Sequence, residues 1–200
     1  MSAPIDFYFD FSSPYGYFAS CRIDAIAERH GRDVTWRPYL MGPVMKMTGA
    51  VPLSDRPVVY DYAARDVHRT ARLNDIPFDI PDPFPVRSVT PCRAFYWLAD
   101  RDPIQARDLA QRIFAAFFVD GRNISEADVI VDVATSMNLD GEALRAALDE
   151  PAVKERVRLE TDAAMERGVF GAPYVIVDGE PFWGNDRLIE VDRWLETGGW

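Results

Sequence analysis

The chain carries little of what redox, metal or nucleic-acid chemistry requires. It has two cysteines and two histidines in 200 residues. Cys21 and Cys92 lie far apart and no Cys-x-x-Cys occurs. That excludes a disulfide framework and suits a reducing compartment, with both thiols read as small buried hydrophobes. No group of His, Cys and carboxylates has metal-ligand spacing, so no metal is expected. His30 and His68 fall on expected helix surfaces, away from the motifs below, which argues against a Ser-His-Asp hydrolase. Basic residues are outnumbered: 22 Lys and Arg against 32 Asp and Glu give a net charge of −10. Such a surface is repelled by phosphate backbones and anionic lipid, which excludes nucleic acid and the membrane surface as partners. No apolar run reaches the roughly 18 residues of a spanning helix. The opening Met1-Ser-Ala-Pro-Ile-Asp6 has neither the basic start nor the apolar run of a secretion signal. A soluble, cytoplasmic protein is the expectation.

What is present is an ordinary globular composition, 48% apolar and 27% charged, enough for a real core. Ile5 to Phe11 reads as a strand and Ser12-Ser13-Pro14 as a helix start. Tyr15 to His30 has helical spacing, with Gly31 as its stop, and Val34 to Leu40 reads as a second strand. Within one sheet this opening is a parallel, right-handed β-α-β unit. Gly42 to Pro57 is rich in Gly and Pro and is expected to be a loop of functional length. Helical patterns follow at 58–74, 91–100, 103–119, 125–137 and 140–149, the fourth opened by a capping-box form, Ser125-x-x-Asp128. Four prolines make 76–86 extended. After a helix at Pro151–Gly168, Tyr174–Asp178 and Pro181–Trp183 form a hairpin turning at Gly179-Glu180, and a last helix begins at Gly184-Asn185-Asp186. Neither end can close a core alone. The expectation is a discontinuous α/β domain, 1–42 with 151–200, around a helical insertion at 43–150.

Three motifs can carry chemistry. Ser13 stands where a strand hands over to a helix; it can cap that helix, or donate to an anion held there. Gly171-Ala172-Pro173 precedes a strand, where the X-Pro bond is ordinarily trans and sometimes cis. Asn185 and Asp186 open a helix, as caps or as a site for an ammonium group. The aromatics Tyr15, Tyr17, Phe18, Phe95, Tyr96 and Trp97 read as core, some of them able to line an apolar pocket.

Taken in order, these motifs and the helical insert have the layout of the thioredoxin superfamily, with Ser13-Pro14-Tyr15-Gly16 where redox members carry C-P-x-C. The segments D-F-Y-F-D-F-S-S-P-Y-G-Y, V-F-G-A-P-Y and F-W-G-N-D-R-L, with weaker G-P-V-M-K-M-T-G, D-R-P-V-V-Y-D-Y and I-P-D-P-F-P between them, resemble the 2-hydroxychromene-2-carboxylate isomerases, relatives of the kappa-class glutathione transferases. The resemblance implies a thioredoxin-like fold with a large all-helical insertion, of the DsbA and kappa glutathione transferase type. It implies glutathione as cofactor, an aromatic carboxylate as substrate, and a homodimer. It makes Ser13 the catalytic serine that contacts the glutathione sulfur. Ala172 before a cis-Pro173 would pair with the cysteinyl part, and Trp183, Gly184, Asn185 and Asp186 would hold the γ-glutamyl end. Lys46 would contact substrate. Asp55 and Arg56 stand near a family Asn-Arg pair, and Phe84 stands where the family can have tyrosine. The implied reaction is cis–trans isomerisation through reversible addition of the thiolate. A kappa-like transferase or peroxidase is the alternative, and a redox-inactive binding module a further one.

Overall fold

The computed structural model describes residues 4–200; residues 1–3, the start of the first expected domain segment, lie outside the described residues. Strand β1 (Ile5–Phe9) occupies the middle of a four-stranded sheet of order β2-β1-β3-β4. It pairs in parallel with β2 (Val34–Pro38), Ile5 opposite Val34, and antiparallel with β3 (Tyr174–Val177), Phe7 opposite Val175. The outer strand β4 (Glu180–Trp183) pairs antiparallel with β3. One sheet is thus assembled from both ends of the chain.

The hairpin turns one residue earlier than expected. Val177 pairs with Glu180, so Asp178-Gly179 is the turn, with φ of 52° and 95°. Two successive positive φ values are what a right-twisted two-residue hairpin needs, and Asp-Gly supplies them.

The helix expected over 15–30 is two helices, α1 (Pro14–Ser20) and α2 (Ile23–Arg29). A tertiary partner meets the break: the Ser20 carbonyl accepts from Gln111 Nε2 at 2.7 Å. The expected loop at 42–57 holds α3 (Met41–Thr48) and a 3-10 turn at Leu53–Asp55. Gly42 and Pro43 fall in the first turn of α3, where a proline costs no hydrogen bond. Gly49, at φ 72°, ends it. Helices α4 (Pro57–Leu73), α5 (Val89–Ala99), α6 (Pro103–Phe118), α7 (Ala127–Ser136), α8 (Gly141–Ala147), α9 (Pro151–Glu166) and α10 (Leu188–Thr197) follow the expected pattern within a few residues. The capping box does not form. Asn123 Oδ1 takes both the backbone N–H and the hydroxyl of Ser125, and α7 starts two residues later with no side-chain cap.

Phe9 and Phe11 meet Phe114 of α6 at ring distances of 5.5 and 5.1 Å, and Phe7 and Phe9 flank Trp36. One continuous core therefore runs from the sheet into the helices. On the other face Tyr8, Tyr39, Tyr174 and Ile176 pack against Ala164 of α9. Cys92 is buried as expected, whereas Cys21, at the break after α1, is exposed. Phe114 joins strand and helices, so Phe114→Ala is expected to lower the unfolding free energy by about 3–5 kcal/mol in a urea melt.

Candidate active site

The capping reading of Ser13 is realised, and its hydroxyl makes a second bond besides. It is the N-cap of α1, where its Oγ accepts from Gly16 N at 3.1 Å, with Pro14 at the first helical position. The same hydroxyl donates to Ala172 O at 3.0 Å, 159 residues away in sequence. A serine has one proton to give, so any ligand acceptor competes with Ala172 O for it.

The loop that presents Ser13 is built on Asp10. This buried carboxylate accepts from Ser12 N at 2.8 Å, Ser88 Oγ at 2.5 Å and Met41 N at 3.0 Å. Burial pushes its carboxyl up, and the three hydrogen bonds pull it back in part. Ser12 Oγ accepts from Val86 N at 3.0 Å and so holds the proline-rich segment against the loop. Asp10, Ser12 and Ser88 were not among the expected site residues. The available signal was an acid closing an aromatic strand immediately before a helix cap.

On the opposite side, Ala172–Pro173 is a cis bond. Tyr39 Oη donates to Gly171 O at 2.7 Å, and Gly184 N donates to Pro173 O at 3.0 Å. These bonds hang one flank of the proline on the buried Tyr39 and the other on the half-buried Gly184. Gly184 has a φ of 117°, a conformation open to glycine, and a Cβ there would lie 2.4 Å from Asp186 Oδ1. Asn185 and Asp186 do not cap α10; they lie in a 3-10 turn ahead of it that packs against α1. Asn185 is 5% exposed, and its Oδ1 accepts no hydrogen bond among the described residues. Such an acceptor suits a ligand N–H or ammonium group. Asp186 is exposed beside Arg187. Trp183 is exposed and meets Phe170 edge-on at 4.8 Å.

Direct contacts therefore gather Ser13, Ala172, Pro173, Gly184 and Asn185. They do not reach the expected substrate residues. Lys46 lies in the last turn of α3, exposed and without an ion pair among the described residues. Asp55 accepts from Ser54 Oγ, and Arg56, likewise without an ion pair among the described residues, precedes α4. Phe84 lies between two cis prolines, half-buried against Phe117 and Phe118. Tyr15, next to the Ser13 cap, donates to Asp66 of α4 at 2.5 Å, which ties that helix to α1. Neither histidine touches the site: His30 pairs with Asp192, and His68 lies against Phe78. No group among the described residues could hold a metal ion, and none of their helices is long and apolar enough to cross a membrane. Two grooves, of about 600 and 390 Å³, follow the hairpin and α10, and neither Ser13 nor Ala172 lines them. Chemistry rather than volume locates the site.

The family model for the DSBA-like thioredoxin domain matches residues 4–196. A 2-hydroxychromene-2-carboxylate isomerase of Sphingobium xenophagum is 32% identical over 98% of this chain and 99% of its own length. Glutathione S-transferase kappa 2 of Caenorhabditis elegans is 28% identical over 96% and 91%. The solved structure of a 2-hydroxychromene-2-carboxylate isomerase superposes with a TM-score of 0.89 at 30% identity, covering 97% of this chain and 95% of that one.

Gly171 is the tightest point of the site, since an added Cβ would lie 2.1 Å from Trp183 Nε1. Gly171→Ala is expected to displace the indole and cost about 1–3 kcal/mol in stability. Comparing tryptophan emission of this variant in wild-type and Trp183→Phe backgrounds isolates the displacement.

Proposed function

Because the chain belongs to the DSBA-like thioredoxin family and, within it, to the 2-hydroxychromene-2-carboxylate isomerases, we propose that it is a glutathione-dependent isomerase. Its reaction is the cis–trans conversion of 2-hydroxychromene-2-carboxylate, or a close analogue, to trans-o-hydroxybenzylidenepyruvate in aromatic-compound degradation. The observation that carries this reading is the bond from Ser13 Oγ to Ala172 O, with the Gly184–Asn185 turn hung on the adjacent Pro173 O.

The residues fit glutathione. Asn185 Oδ1 is a buried acceptor in need of a donor, and the exposed Asp186 carboxylate suits an ammonium group; a γ-glutamyl end offers an ammonium and N–H groups. Ala172 presents main chain to the cysteinyl part, with Trp183 and Gly184 beside it. Bound glutathione would supply a thiolate that adds reversibly to the conjugated double bond, permits rotation, and leaves unchanged. An ordinary cysteine thiol has a pKa of about 8.5, so a donor is needed to hold it ionised at neutral pH. Ser13 is that donor. Helix α1 has seven residues, so the hydroxyl matters more than the helix dipole. The unpaired cations Lys46 and Arg56 hold the substrate carboxylate, with Asp55 beside them and Phe84 as an apolar wall. The free thiols of Cys21 and Cys92 support a cytoplasmic setting, and a homodimer is the assembly the family resemblance implies.

The kappa transferase relative favours one other reading, transfer of glutathione to other electrophiles. That reading requires net glutathione consumption, which isomerisation does not. An ultraviolet assay of the interconversion, with and without glutathione, decides; equal rates without it reject the proposal. Ser13→Ala removes a hydrogen bond to a charged group, so the thiolate fraction of bound glutathione, read near 240 nm, is expected to fall by roughly 10- to 100-fold. The lost cap costs about 1 kcal/mol of stability in the same variant.

A further inference from the structure

A single carboxylate joins three segments that meet behind Ser13. Asp10 Oδ1 accepts from Ser12 N and Ser88 Oγ, and Oδ2 accepts from Met41 N. Ser12 belongs to the turn that carries Ser13. Met41 is the first residue of α3, the helix of Lys46. Ser88 precedes α5 and follows Phe84 by four residues. We propose that Asp10 is a positioning residue, whose carboxylate keeps the Ser13 side of the site in register with the substrate side formed by α3 and residues 84–88. This inference rests on the isomerase reading given above.

Stability alone does not explain a charge at this place. Asp10 is 7% exposed, and no cation pairs with it among the described residues. Its buried neighbours that can titrate, Tyr39 and Cys92, are both pushed toward their neutral forms by burial, with Asp10 adding to the effect. Burial raises the Asp10 carboxyl above its ordinary value. A carboxyl raised in the folded state destabilises the native protein as pH rises through that value. What the charge provides is acceptor capacity. Three donors from three segments need a group that only accepts, and an ionised carboxylate has about four lone-pair sites. An amide has one oxygen. In Asp10→Asn, the NH2 must face either Met41 N–H or Ser12 N–H, and one of those donors loses its partner in each orientation.

The test is Asp10→Asn measured beside Ser88→Ala and Ser88→Thr. The calorimetric Kd for glutathione and the KM for substrate are expected to stay within about threefold of wild type, while kcat falls at least about tenfold. Amide exchange should quicken together in residues 11–16, 40–47 and 85–92. Ser88→Ala should lower kcat in the same way, and Ser88→Thr, which keeps the hydroxyl, should restore it. A folded Asp10→Asn protein with kcat within about twofold of wild type overturns the proposal, as does faster exchange confined to one segment. If Asp10→Asn does not fold, the Ser88 pair decides, and wild-type kcat in Ser88→Ala is the adverse result. An inactive wild type would refute the isomerase reading instead; the exchange pattern would still decide whether Asp10 joins the three segments.

Discussion

Strand β1 is five residues long and must satisfy hydrogen bonds on both of its edges while burying both of its faces. Most of the architecture follows from that demand. One edge takes β2 from the same end of the chain, in parallel, through the α1–α2 crossover. The other takes β3, which begins after residue 173. The antiparallel register sets Tyr8 opposite Tyr174, its last pair; carried on by two residues, it would bring Phe9 level with Pro173 and Asp10 level with Ala172. The Ser13–Ala172 contact is thus a consequence of sheet register. A slip of one residue would turn every β1 side chain to the opposite face, so the aromatic core that pins the register also pins the site.

The polar groups at the strand's end show how irregular backbone is kept inside a protein. Asp10, Ser12, Ser13, Ser88 and Tyr39 use their polar atoms on backbone groups of other segments or on one another. This is the condition for burying loops at low dielectric. Against that background Asn185 stands apart, as a buried amide oxygen with no donor, beside the helix that carries Ser13. Under the proposed function, this acceptor takes a donor from the γ-glutamyl end of glutathione.

Elements with strong periodicity were legible from residues alone: β1, β2, α4 to α6, α9 and the hairpin. The misread pieces turn on side-chain partners, near and far in sequence, that override helical periodicity. Gln111 meets the end of α1 from ninety residues away, and Asn123 captures the serine of the apparent capping box. Gly42 and Pro43 suggested a loop because composition does not say where a helix turn begins. At the site, Ser13 was legible as a cap, but its second bond was not, because no local pattern encodes a partner 159 residues away. Asp10 was hidden among strand acids. Asp6, four residues earlier and within β1, pairs with Arg37 and Arg167, and sequence does not distinguish the two.

Charge and apolar surface together narrow what the proposed substrate side can hold. A chain of net charge −10 repels anions at long range, so an anionic substrate needs local cations that are not neutralised within the protein. Most arginines here are spent: Arg29, Arg37, Arg156, Arg158 and Arg167 all pair with carboxylates. Lys46 and Arg56 are not, and they stand among exposed Met47, Val51, Leu53, Val58 and Tyr62. Free cations set within apolar surface suit a molecule that is mostly ring with one carboxylate. They suit a polyanion poorly, because two cations cannot offset the diffuse field for several charges. The hydrogen-bonded ties run the same way: α3 hangs on Asp10 through Met41, and α4 on α1 through Tyr15 and Asp66. The elements that carry the cations are therefore fastened to the loop that carries Ser13, although no direct contact joins the two groups of residues.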